Sequence, residues 1–165
     1  MNESAVLIEA FGRIQQVVHR VLDGLDEEQL RYRIDGGANP IAWLVWHLAR
    51  VQDDHIAEVA GREQVWLSDG WESRFDLPFS ADAIGYGHSP DEVGQVRASA
   101  ALLSGYYDAV HDRTVEYLST VTGPDLDRVI DENWDPPVTL GVRLVSVISD
   151  DLQHAGQAAF VRGLL

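Results

Sequence analysis

Leu7, Phe11, Ile14, Val18, Val21 and Leu25 recur at alternating steps of four and three, the spacing that lines one face of a helix packed against others. This predicts a first helix over roughly residues 4–23. Asn39-Pro40 is a start signal, because Asn can cap free backbone donors while Pro tolerates the first helical position. A second helix then runs to about Gly61, with Ile41, Leu44, Leu48, Val51 and His55 as its stripe and His47 on the inward half. Ser89-Pro90-Asp91-Glu92 repeats that start chemistry and opens a third stripe of Val93, Val96, Ala100, Leu103, Tyr107, Val110, Thr114, Tyr117 and Val121, which Gly123-Pro124 closes. Thr139 precedes Leu140, Leu144, Val147, Ile148, Ala155 and Ala158, so a fourth helix ends the chain.

Four amphipathic segments, with no comparable strand alternation and no fixed-period repeat, predict an all-α four-helix bundle formed by residues 1–165 as one domain. The connections are uneven. Residues 62–88 form a long crossover between the second and third helices that carries Trp66, Trp71, Phe75, Phe79 and Tyr86. It is too aromatic for a disordered linker and is expected to pack across one end of the bundle. Residues 123–138, with Trp134-Asp135-Pro136-Pro137, form the other substantial loop.

Composition narrows the chemistry. With 12 basic and 27 acidic residues, the net charge of −15 repels phosphate backbones and anionic membrane surfaces, so neither nucleic acid nor membrane is an expected partner. No apolar run approaches the ~20 residues that cross a bilayer, and Met1-Asn2-Glu3-Ser4 lacks the basic start of a signal peptide, so a cytoplasmic location is expected. The chain has no cysteine, which excludes a disulfide framework, a thiolate ligand and a cysteine nucleophile. All twelve basic residues are Arg, a bias that points to a GC-rich bacterial genome.

Candidate chemistry therefore falls to the histidines. His47 sits in Trp43-Leu44-Val45-Trp46-His47-Leu48, and His154 follows Asp150-Asp151-Leu152-Gln153. A carboxylate and an imidazole four residues apart stand about 6 Å apart on one helix face and can grip one ion together. His47 supplies a third group if the second and fourth helices are neighbours, giving two imidazoles, one carboxylate and an open position. Zn²⁺ is the first expectation, with Ni²⁺, Mn²⁺ or Fe²⁺ as the other ions this set suits. Phase leaves an alternative, since at ~100° per residue Asp151 lies nearer the middle of the apolar stripe than Asp150. His55, about 12 Å along the helix from His47, is too far for the same ion. His19 and His111 flank their stripes and His88 lies in a Gly-rich loop, so surface or supporting roles are expected for these three.

Trp43 to Ala49, followed by Asp150-Asp151-Leu152-Gln153-His154-Ala155-Gly156-Gln157, resembles the DinB superfamily of DinB/YfiT-like metalloproteins, in particular its uncharacterised actinobacterial branch. The resemblance implies a four-helix bundle in which His47 of the second helix and Asp150 and His154 of the fourth hold a divalent metal. The family commonly has His where this chain has Asp150, and the related mycothiol-dependent maleylpyruvate isomerases use a carboxylate there; this register favours Asp150 over Asp151. It also implies a metal-dependent enzyme using a low-molecular-weight thiol of the mycothiol type, either as an S-transferase or as a thiol-dependent isomerase, with a thiol and an electrophile as partners. The competing expectation is a non-enzymatic metal-binding or structural bundle that forms a homodimer. An activated-water hydrolase ranks last, because the fourth helix carries no Glu. No residue is singled out as catalytic beyond the metal group.

Overall fold

The computed structural model describes all 165 residues, in the order α1 (Glu3–Leu22), α2 (Glu27–Leu30), α3 (Ile41–Ala60), α4 (Val65–Ser68), α5 (Trp71–Phe75), α6 (Pro90–Val93), α7 (Ala100–Leu118), α8 (Gly123–Leu126), β1 (Val129–Asp131), β2 (Val138–Thr139) and α9 (Leu140–Arg162). The long helices α1, α3, α7 and α9 form the all-α bundle, and their stripes meet in one core through Phe11 and Ile14, Leu44 and Leu48, Leu103 and Val110, Leu144 and Val147. His47 faces His154 while Arg143 reaches back to His55 and Glu58, so α3 and α9 run antiparallel. None of the helices is long and apolar enough to cross a membrane.

Local chemistry sets the ends of these helices, and not always where the residue pattern points. Pro40 caps α3 without any side-chain hydrogen bond, so the expected Asn39 cap is not made, whereas Thr139 caps α9 by accepting from the Val142 amide. Thr139→Ala is therefore expected to cost about 1 kcal/mol, and Asn39→Ala to stay within about 0.5 kcal/mol, in urea unfolding of the two variants.

The third helix differs from its expected span. Ser89 and Glu92 do form a capping box, but it supports only the single turn of α6. Gly94 follows, and the chain continues non-helically, with Val96 and Ala98 buried, until Ser99 accepts from the Leu102 amide and starts α7. The Val93–Val96 spacing thus reflects a turn and an extended segment both packed on the core. Gly123-Pro124 opens α8 instead of closing α7, which ends at Leu118. β1 and β2 form a short antiparallel hairpin in the loop after α8, too brief to show as alternation, and Trp134 at its turn stays 66% exposed.

From Ile41 to Asp53 every residue of α3 is buried, which a four-helix contact cannot achieve, because it leaves an outer face wet. The crossover covers that face. Instead of crossing a bundle end, it lies along α3 and the α3–α7 seam, reaching from Trp43, whose indole donates to His88, to Asp54, which accepts from Gln64. Trp66 packs on Trp46 and Tyr106, and Phe79 on Trp46, while Tyr86 remains exposed.

Arg50 and Asp53 fasten this layer. Fully buried Arg50 donates from Nε to the Ala83 carbonyl and from Nη1 to Gln64 and Tyr106, and its guanidinium lies 4.8 Å over the Trp66 ring. Asp53 accepts from the amides of Val65 and Trp66 at the start of α4 and from the Tyr106 hydroxyl. Burial raises the Asp53 carboxyl above the usual range, opposed by those hydrogen bonds and by the Arg50 charge. This pair lies within a buried run that also carries His47 and Gln52, and only the i, i+3 spacing of opposite charges hints at it.

Candidate metal centre

α3 and α9 bring together the three groups named from the sequence. His47, Asp150 and His154 each offer a ligand atom, all within 4.8 Å of one another. The two imidazoles meet edge-on with centroids 4.8 Å apart, and His154 Nε2 stands 3.6 Å from Asp150 Oδ1.

Each ring is oriented by its other nitrogen. His47 Nδ1 lies 2.5 Å from the Ile84 carbonyl of the crossover. A carbonyl only accepts, so Nδ1 carries the proton and Nε2 presents its lone pair. Burial, as the largest influence, pushes His47 below its ordinary pKa, helped by His154 and opposed by the Ile84 hydrogen bond and Asp150, which favours the neutral, ligating form. His154 Nδ1 pairs with Gln157 Oε1 at 2.9 Å, again leaving Nε2 toward Asp150. Outer partners of this kind fix tautomer and direction in metal sites. Asp150 Oδ2 is buried without a hydrogen-bond partner in the protein, a lone acceptor that a cation would satisfy. Two imidazoles that each present Nε2, together with a carboxylate, fit a divalent ion such as Zn²⁺.

Trp43 forms one wall, stacked on His47 at 4.5 Å and edge-on to His154 at 6.1 Å. Access is one-sided, since His47 is 5% exposed while the Asp150 and His154 side chains are 37% and 18% exposed.

Asp151 points the other way. It is fully buried in the core, and neither of its oxygens has a hydrogen-bond partner. Burial first and the Asp150 charge second push its carboxyl well above the usual range. Phase thus identifies Asp151 as the core-facing residue, while the cluster with the two histidines is made by Asp150 at the edge of the α3–α9 interface. His55 stays outside the cluster and contacts Arg143. His19 pairs with Asp108 at the surface, and His88 supports the site from behind by stacking on Trp46 and Phe79. His111 is buried against Tyr107, not at the surface.

Gly85 is a functional position that sequence reasoning missed. It has φ +92°, and a Cβ there would come 2.8 Å from His47 Nδ1 and 3.0 Å from Trp46. Only a glycine lets the crossover approach closely enough for Ile84 to hold His47. Gly85→Ala is expected to swing the imidazole off line and weaken zinc affinity about tenfold, as loss of an outer hydrogen-bond partner does, with unfolding stability lowered by about 1–3 kcal/mol. Competition titration with a zinc-sensing dye measures the first effect and thermal unfolding the second.

The sequence profile of the DinB superfamily matches residues 10–158. A conserved protein from Enterococcus faecalis, known from its crystal structure, is 33% identical, with a TM-score of 0.93 over 99% of this chain and 97% of that one. No curated protein matches the sequence. Since the profile spans all four long helices and the bacterial relative superposes almost end to end, the chain belongs to the DinB superfamily.

Proposed function

We propose that the protein is a divalent-metal-dependent enzyme that uses a low-molecular-weight thiol of the mycothiol type, as an S-transferase or a thiol-dependent isomerase. One observation carries this reading: three convergent ligand groups with a buried, oriented side and an accessible side, in a chain with no cysteine of its own. A divalent cation held there would favour the thiolate form of a thiol near neutral pH, so the sulfur arrives with the co-substrate. His47 is held by Ile84 and Trp43, and His154 by Gln157, which aims both Nε2 atoms at one point. Trp43 covers the inner side and excludes water there, leaving the α9 flank for an incoming molecule. In an S-transfer the thiol proton goes to solvent, a carbon–sulfur bond forms and the electrophile's leaving group departs with its electron pair.

The test is conjugation of 1-chloro-2,4-dinitrobenzene by the zinc-loaded protein with mycothiol, bacillithiol or glutathione. A rate above background that needs the metal and disappears in His154→Ala supports the enzyme. The second reading, in which an ion serves only to tie α3 to α9, is favoured by the absence of a Glu on α9 to act as a base. It predicts full metal content with no acceleration of any thiol.

A further inference from the structure

A cleft of about 500 Å³ lies between the loop at residues 34–39, Leu44 of α3 and the last turns of α9. Leu44 and Gln157 on its wall each lie one turn from His47 and His154, so the cleft adjoins the metal group. Its lining, which includes Ile34, Asn39, Leu44, Gly156, Gln157 and Phe160, holds no charged residue, although the chain carries a net charge of −15. Ile34 and Phe160 are 46% and 64% exposed, an apolar pair left facing open space. At Gly156, which lines the cleft, a Cβ would meet nothing within 4 Å, so a side chain placed there would project into open space.

One polar group links the cleft to the ligands. Gln157 spends its Oε1 on the His154 Nδ1 proton, which leaves its amide NH₂ as a donor at the cleft wall. The volume falls in the range of small-molecule pockets, and an apolar lining with a few fixed polar groups is the pattern such pockets follow.

We propose that this cleft binds the second substrate of the metal centre, a small uncharged molecule with an apolar body and a hydrogen-bond acceptor directed at Gln157. The inference rests on the thiol-transfer reading and assigns the electrophile its place. The apolar body lies between Leu44 and Phe160, and the acceptor takes the Gln157 NH₂ donor, which brings the reactive end beside the ligand cluster. Ions of either sign find no partner in the uncharged lining, and the acidity of the whole chain further disfavours anionic electrophiles.

The test uses prodan, an uncharged fluorophore with a carbonyl acceptor, titrated into the zinc-loaded protein, with zinc measured on the same samples. Wild type is expected to bind one equivalent with a blue-shifted emission. Gly156→Leu, which places its side chain in open space and gains helix propensity, is expected to weaken binding at least tenfold with zinc content unchanged. Gln157→Leu is expected to weaken it several-fold, and Ala60→Leu, in the separate 270 Å³ cavity lined by residues of α3 and α7, to leave it unchanged. The proposal is overturned if Gly156→Leu binds prodan like wild type, if Ala60→Leu alone abolishes binding, or if zinc-loaded wild type binds no prodan. It is also overturned if wild type sediments as a dimer and Gly156→Leu as a monomer, since the cleft then belongs to a second copy of the chain. Prodan binding that is lost in Gly156→Leu, in a protein that takes up no zinc, keeps the cleft and removes the metal reading instead.

Discussion

His154→Ala and Asp150→Ala are expected to lower zinc affinity by well over the ~100-fold that loss of an outer hydrogen-bond partner costs, because each removes one of the three groups that would hold the ion. Asp151→Asn is expected to keep the metal, since its side chain lies in the core away from the cluster. Metal analysis after dialysis reads both results. The metal-free proteins separate ligation from folding. His154 is oriented by a single exposed glutamine, so apo His154→Ala is expected to unfold within about 0.5 kcal/mol of wild type. His47 is buried and paired with the Ile84 carbonyl, so apo His47→Ala is expected to lose about 1–3 kcal/mol by leaving that acceptor unsatisfied. Zinc at a hundred times its dissociation constant should stabilise wild type by about 2.7 kcal/mol and give none of the ligand variants that increment. Equal zinc content in wild type and all three alanine variants would dismiss the site.

Asp53→Ala is expected to destabilise the protein by about 3–5 kcal/mol, the largest single effect on folding, because it leaves a fully buried guanidinium without its carboxylate. The same change strips the Val65 and Trp66 amides of their acceptor at the start of the crossover layer. A double replacement, Arg50→Met with Asp53→Leu, removes both charges and is expected to recover a large part of that loss. Urea unfolding of the two proteins checks the pair; equal instability in both would mean that packing volume, not charge compensation, holds the layer.

Much of the bundle was legible in the residue order because long amphipathic stripes are local signals. α1, α3 and α9 fall within a residue or two of the spans that their stripes predict. The failures share a cause. The start of α7 at Ser99 depends on the Gly94–Ala98 segment leaving the helical path, and its apolar residues fit a helical period equally well. Gly85 shows nothing locally; its need for positive φ comes from a contact with His47, 38 positions away in the chain (85 − 47). Arg50 and Asp53 owe their burial to a crossover whose path no nearby residue announces. The choice between Asp150 and Asp151 turns on which helix interface hosts the histidines. Helical phase finds the core but not the seam beside it, and family register supplied what geometry alone left open.

The seam between α3 and α9 divides the site into unequal halves. On one side His47 is braced by Trp43 of its own helix and by the crossover backbone, which Arg50 of that helix grips at Ala83. On the other, two ligating groups stand on the partly wetted flank of α9 with one glutamine for support. A divalent ion held there would meet a firmly braced imidazole on one side and two groups on the wetted flank of α9 on the other, so it would enter and leave from the α9 side.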